Sequence, residues 1–406
     1  MAGSNKPQKK LSNYCANIKV VGVGGGGGNA ISRMQENFPI KSVDFLAINT
    51  DAQDLDYCRA KHRIYIGKNL TKGLGTGMNP ELGRQAAEEN RSEIIESLKG
   101  ADLVFITAGL GGGTGSGASP VIAEAAKENG ALTVAVVTKP FSFEGAQRNR
   151  IAQEAILKLK EKVDTLIVVP NDRIFSVIKK DTPIVKAFEY IDDILRYSVQ
   201  GIAELIAMPG IINVDFADVK AIMKDAGSAL VGIGLSAGQE RAMTAVDQAI
   251  NSPLLEVSID GAKGILFAVS GGKDLRLNEI HDIAKVIGES ADPAAKIIFG
   301  AYHDRKIRKG ALKVILIATG FNGANGKNGG ETTISTLFTA NTPVVKPISQ
   351  ENKEREKFSK NGGEKQNDKD SKDKSARGGS PPVGQAGASG RKDDNIWDIP
   401  TFLRKK

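Results

Sequence analysis

Residues 103–120, LVFITAGLGGGTGSGASP, decide the reading of the chain. Leu103 to Thr107 form an apolar, β-branched run that breaks into Gly109, Gly111, Gly112, Gly113, Gly115 and Gly117, interleaved with Thr114 and Ser116. The helical pattern IAEAAKENG follows. The segment therefore reads as strand, glycine turn and helix start. Glycine lets the backbone take positive φ and approach a ligand, so that successive N–H groups point at an anion above a helix N-terminus. A phosphate chain is the obvious anion. The plain alternative is a tight strand-to-helix turn that holds no ligand.

Working outward, two further glycine loops favour the ligand. Asn17 to Val23 read as a buried strand that runs into Gly24 to Gly28 and Asn29, and then into the helical AISRMQEN. Gly22, Gly24 and Gly27 satisfy G-x-G-x-x-G, which invites a dinucleotide-binding reading. That reading needs an acid at the C-terminal end of the second strand. Asp44 precedes the strand FLAIN, and Asp51 lies in the polar loop NTDAQ. No G-x-x-x-x-G-K-[ST] occurs, which removes the P-loop class. A third loop, TKGLGTGMNPELG at 71–83, completes a set expected at one sheet edge, suited to a mononucleotide held from several sides.

Leu132 to Thr138 and Thr165 to Val169 are further strand runs, with a helical pattern between them. Alternating strands and helices imply right-handed crossovers and a parallel sheet. Polar groups that follow these strands, Pro140, Glu144, Arg148 and Asn171, suit a ribose or base, or are ordinary capping and surface residues. Residues 184–207 form one long amphipathic helix pattern, a candidate spine between two domains. On it Phe188 and Asp192 are i and i+4 and share a side. An aromatic face beside a carboxylate suits a purine, with the carboxylate accepting from guanine N1 and N2; the alternative is a core Phe and a solvated Asp.

Past Met208-Pro209-Gly210, the segment IINVDFADVK carries Asn213, Asp215 and Asp218. They read either as a helix cap with its dipole-complementing partner or as an acidic cluster that positions water for phosphate hydrolysis. Strands at 229–235, 264–269, 296–299 and 312–319, with helices at 239–251 and 275–288, make a second, smaller α/β domain with no comparable glycine loop.

Composition narrows the function further. Two cysteines and three histidines in 406 residues offer neither a disulfide framework nor a zinc pattern. The start of the chain lacks the apolar core of a secretory signal and no run of apolar residues is long enough to span a bilayer, so a cytoplasmic location is expected. The net charge of +8 sits in the flanks: +3 in residues 1–17, +3 in 341–390 and +2 in 391–406, which leaves 18–340 neutral. This is not a nucleic-acid face. From about Asn322 the chain is polar, charged in both signs and nearly free of large apolar groups, as a disordered linker would be. It ends in DDNIWDIPTFLRKK, where Ile396, Trp397, Ile399, Pro400, Phe402, Leu403 and Arg404 read as a short motif that folds on a partner.

GVGGGGGNA, INTDAQ, GLGTGMNPELG, GLGGGTGSGASP, TKPFSFEG, VPNDRI, YIDDILRYSVQGI, NVDFADVK and IPTFLRKK, in this order, resemble the bacterial cell-division proteins of the FtsZ family in the tubulin superfamily. Ser116 replaces the second Thr of that family's GGGTGTG signature and keeps its hydroxyl. The resemblance implies a GTP- and Mg2+-dependent GTPase that polymerises head to tail with itself at a midcell division ring. Gly25, Gly26, Gly27, Gly28 and Asn29, with Gly111, Gly112, Gly113, Thr114, Gly115, Ser116 and Gly117, would hold the phosphates of GTP or GDP. Glu144 and Arg148 would meet the ribose, and Asn171, Phe188 and Asp192 the guanine. Asn213, Asp215 and Asp218 would act in trans on a neighbour's nucleotide, with no metal held by side chains in cis. The end peptide would dock division proteins and membrane anchors, so that the membrane is met only indirectly. The implied organisation is an N-terminal extension at 1–16, a GTP-binding domain at 17–180, a connecting helix at 181–208, a GTPase-activating domain at 209–321 with a mixed sheet, a linker at 322–391 and a partner-binding peptide at 392–406.

Overall fold

In the computed structural model of the chain, residues 16–37, 43–208, 210–253, 255, 258–304 and 306–321 are described. The terminal extension at 1–15, the linker and the peptide with Trp397 lie outside them. The described chain runs β1 (Ile18–Val23), α1 (Gly24–Asn37), β2 (Val43–Asn49), α2 (Ala52–Tyr57), β3 (His62–Tyr65), α3 (Lys68–Thr71), α4 (Pro80–Glu89), α5 (Arg91–Leu98), β4 (Leu103–Gly109) and α6 (Thr114–Glu128). It continues through β5 (Leu132–Lys139), α7 (Ala146–Lys162), β6 (Thr165–Pro170), α8 (Ile184–Ala207), α9 (Phe216–Met223) and β7 (Gly227–Ala237). After these come α10 (Arg241–Ile250), β8 (Gly264–Gly271), α11 (Leu277–Ser290), β9 (Lys296–His303) and β10 (Ala311–Thr319).

These strands form one sheet of ten in the order β3-β2-β1-β4-β5-β6-β7-β10-β8-β9. From β3 to β6 every pairing is parallel; β10 is antiparallel to both β7 and β8. The α/β class and the mixed strand pairing of the second half follow as the sequence implied, with both halves joined in one sheet. β6 and β7 join over only three pairs, Thr165 with Gly227, Leu166 with Ser228 and Ile167 with Ala229, the narrowest link in the sheet.

The apolar strand runs have a direct cause. In β4, Leu103 and Phe105 enter one hydrophobic cluster, with α1 and α8, while Val104 and Ile106 enter another, with α4 to α7. Successive side chains point to opposite faces, so a parallel strand covered on both must be apolar throughout. A third cluster, beneath α10 and α11, holds β8 and β10 together. Truncating the fully buried Phe105 to Ala would cost about 3–5 kcal/mol.

Three boundaries differ from the sequence reading: β9 runs on to His303, the 71–83 loop is already helical from Pro80, and α1 begins at Gly24, inside the glycine run, not after it. Glycine is a poor helix former, and packing overrides it here. A Cβ on Gly27 would collide with the Thr107 carbonyl of β4, so only glycine lets the first turn of α1 lie between β1 and β4.

Candidate functional site

Because β1, β2, β4, β5 and β6 are parallel and in register, Val23, Asn49, Gly109, Lys139 and Pro170 end at one edge. In open α/β sheets, ligands bind outside the carboxyl ends of the strands. That edge gathers Gly25 to Asn29 in the first turns of α1, Gly111 to Gly117 at the start of α6, Glu144 and Arg148 around the start of α7, and Asn171 after β6.

Three hydroxyls tie the loops together. Thr114 Oγ1 lies 2.6 Å from Thr50 Oγ1 and 3.4 Å from Thr76 Oγ1, which links the turn after β2, the 71–83 loop and the α6 turn. The 71–83 loop is also pinned to the β2 turn by Ala52 N–H donating to Gly73 O at 3.2 Å and by a bridge between Asp51 and Leu74. Sequence reasoning passed over Thr50 and Thr76; their one signal is a polar run directly after a strand or among glycines. Ser116 is 2 % exposed, and its Oγ accepts from Gly111 N at 2.9 Å. Its hydroxyl braces the turn from within. The loop glycines divide by task. A Cβ on Gly113 would strike Thr76 Oγ1 and come 2.8 Å from Asn79 O, whereas one on Gly112 would meet nothing within 4 Å. Gly113 is small so that the loops can close on each other, while Gly112 leaves open space above the turn.

Away from the glycines, Glu144 accepts from Arg148 Nη1 at 2.8 Å and from Phe141 N at 2.9 Å, so the two residues expected at the ribose hold each other. Phe188 is 44 % exposed and meets Phe141 edge-on at 5.6 Å; Phe143 and Phe175 also pack on Phe141. Asp192 Oδ2 lies 3.4 Å from Arg33 Nε, a partner on α1 that the sequence reading did not name. Burial pushes the Asp192 carboxyl up to about 6, although Arg33 pulls it down. Asn171 is 7 % exposed and its Oδ1 has no partner among the described residues. A buried orphan acceptor is costly unless a ligand donor reaches it. That orphan, the apolar ring faces and the space above Gly112 fit a nucleotide.

The dinucleotide alternative fares less well. Asp51 caps α2, accepting from Gln53 N and Asp54 N. Asp44 sits opposite Lys19 at the start of β1, away from the glycine turn.

Asn213, Asp215 and Asp218 lie elsewhere. α8 has Phe188 and Asp192 in its first half and runs for 24 residues, about 36 Å at 1.5 Å per residue, before this segment begins. α9, which Asp215 caps by accepting from Asp218 N at 2.8 Å, ends at Met223, whose carbonyl accepts from Thr165 in the first residue of β6. That is the strand end opposite to Asn171. Asn213 Oδ1 accepts from Gly210 N at 2.7 Å, and Asn213 and Asp215 are exposed. One subunit thus keeps its glycine loops and this acidic segment at opposite ends of α8.

Known proteins match both halves of the described chain. A family model described as Tubulin/FtsZ family, GTPase domain, matches residues 17–179, and one described as FtsZ family, C-terminal domain, matches residues 227–322. Two solved structures of FtsZ from M. jannaschii are 47 % identical to the chain. The empty dimer covers 76 % of this chain and 90 % of its own, with a TM-score of 0.73. A point mutant of the same protein covers 75 % and 91 %, with a TM-score of 0.72. CetZ2 from Haloferax volcanii, solved as a GTPγS-bound protofilament, is 22 % identical over 74 % of this chain and 92 % of its own, with a TM-score of 0.64, and so shares the fold.

Proposed function

The chain belongs to the tubulin/FtsZ family, and from that premise we propose that it is a GTPase whose subunits stack head to tail, each completing the active site of the next. Such a heterologous contact gives a filament where the rotation between successive subunits does not close a ring. The observation that carries this reading is the separation of the loops from the acids within one subunit.

In this reading Gly25 to Asn29 and Gly111 to Gly117 present N–H groups to the phosphates, and Glu144 and Arg148 border the ribose. Asn171 Oδ1 accepts from guanine, Asp192 accepts from N1 and N2, and Phe188 covers the ring. Asp215 and Asp218 of the adjoining subunit, with Asn213, orient the attacking water. Phosphoryl transfer asks of a protein mainly positioning and charge stabilisation. A bound Mg2+ would come with the nucleotide and would supply charge neutralisation to its phosphates; among the described residues no group of three or more His, Cys, Asp or Glu is gathered to cage it. Residues 17–180 serve as the GTP-binding domain and 209–321 as the activating domain, with 181–208 between them. The peptide at 392–406 docks division proteins and membrane anchors, and the filament forms the midcell ring. Among the described residues no helix is long and apolar enough to cross a membrane.

A second reading, a filament that binds nucleotide without turning it over, is favoured by the fully formed cap at Asp215. Turnover per subunit measured against protein concentration, alongside light scattering, separates the two. A rate per subunit that rises with concentration, together with GTP-induced scattering, is expected. A concentration-independent rate would rule out hydrolysis in trans.

A further inference from the structure

The far half of α8 carries a buried polar chain that the nucleotide site does not use. Arg196 Nη1 donates to Gln200 Oε1 at 3.0 Å, Gln200 Nε2 donates to Glu204 Oε1, and the Tyr302 hydroxyl donates to Glu204 Oε2. Arg196, Gln200 and Glu204 fall at i, i+4 and i+8, along one side of the helix. Glu204 is 1 % and Tyr302 2 % exposed, amid Val199, Ile202, Leu205 and Val214 of the apolar core. Burial, and after it the Glu204 carboxyl, push the Tyr302 phenol well above its ordinary value, so it remains a proton donor.

Placing such groups in a core is costly unless each is satisfied, and an apolar pair of similar shape would serve stability as well. Their location suggests another use. Tyr302 follows Ala301 on β9, and Ala301 O accepts from Ile211 N at 2.7 Å and from Ile212 N at 3.1 Å, while Ala301 N donates to Ile212 O at 3.1 Å. Glu204 in turn closes α8, its carbonyl accepting from Met208 N at 2.9 Å. The segment with Asn213 and Asp215 is therefore held on one side by the end of α8 and on the other by β9. The Glu204–Tyr302 bond is a side-chain hydrogen bond between these two holders.

We propose that Glu204 and Tyr302 are positioning residues that fix the 210–215 segment against α8 and β9, so that its acids meet a neighbouring subunit's nucleotide in reacting geometry. The proposal rests on hydrolysis in trans. A hydrogen bond has a defined length and direction, which apolar contact lacks, and displacing a reacting group by about 1 Å can lower a rate about 100-fold.

The test uses the full chain with Tyr302→Phe, the double variant Glu204→Leu/Tyr302→Phe, and Asp215→Ala. Turnover per assembled subunit, GTP affinity below the assembly threshold, polymer formed with a slowly hydrolysed GTP analogue, and Tm are measured for each. Tyr302→Phe should lower turnover about tenfold, with affinity and polymer unchanged. The double variant removes both ends of the Glu204–Tyr302 bond and no buried carboxylate remains, although Gln200 Nε2 loses this acceptor; it should recover part of the lost Tm yet keep the low turnover, and it carries the test if the single variant does not fold. Turnover that returns with Tm in the double variant would make the pair a stability feature only and overturn the proposal, as would wild-type turnover in Tyr302→Phe beside an inactive Asp215→Ala. Wild-type turnover in Asp215→Ala would instead overturn hydrolysis in trans, and the positioning role with it.

Discussion

The two ends of α8 are built on opposite plans. At the N-terminal end, loops from three parts of the chain are wired to one another through Thr50, Thr76 and Thr114, and still leave Asn171 Oδ1 without a partner among the described residues. At the C-terminal end, Asn213 and Asp215 satisfy themselves within their own segment and stand exposed. The first end is complete except for a ligand, and the second is complete except for a target. On the proposed function, a subunit so divided would gain its chemistry by assembly.

The sharpest way to break that contrast is at Asp215. Asp215→Asn keeps a side chain that caps α9 well and removes the charge. Turnover should fall on the order of 100-fold, the scale of a lost positioning or acid–base group, with Tm and GTP affinity near wild type. Asp215→Ala should lose turnover equally and also about 1 kcal/mol of stability with the cap. Turnover that survives in the Asn variant would return this residue to capping alone.

At the loop end, the two tasks of the glycines separate by substitution. Gly113→Ala forces a Cβ onto Thr76 and Asn79, and should lower stability by about 1–3 kcal/mol as well as GTP affinity. Gly112→Ala meets no protein atom, so thermal unfolding should change by under about 0.5 kcal/mol while GTP titration shows weaker binding. Equal effects at both positions would erase the distinction.

Much of the loop end was legible in the sequence, because apolar strand runs, glycine turns and the polar residues after them occupy contiguous stretches. The linkages were not. Thr50, Thr76 and Thr114 come from separate loops with no spacing to signal their meeting, and Arg33 reaches Asp192 from α1 across most of the domain. α4 escaped notice because its buried residues are Gly83, Ala86 and Ala87, too small to make an apolar stripe. It packs closely all the same, with a Cβ on Gly83 only 2.5 Å from Gly113 O. The acidic segment was legible as residues but not as a place: capping and catalysis share one pattern, and neither tells that the segment lies at the far end of α8.

Two smaller effects sharpen the picture. The proposed guanine contact needs Asp192 ionised, and burial pushes that carboxyl up to about 6. GTP affinity should therefore be full well above pH 6 and fall as pH drops through it, by at most about tenfold per unit. Asp192→Asn should bind weakly with no such slope, and a wild-type affinity flat from pH 5 to 8 would remove Asp192 from the base contact. Met78 holds φ at +64°, a region that disfavours side chains with a Cβ. Met78→Gly should raise stability by about 0.5 kcal/mol in thermal unfolding, the relief of strain being offset in part by glycine's greater chain entropy.

The central claim, that one subunit's loops work with another's acids, is tested most directly by mixing two inactive variants. Asp215→Ala retains a nucleotide site and lacks the acid; Asp192→Ala retains the acid and loses guanine. Neither should turn over GTP alone. Mixed in equal amounts, they should regain turnover at the contacts where an intact acid segment meets an intact loop edge. A mixture as inactive as its parts, although light scattering shows that the two co-assemble, would contradict the account.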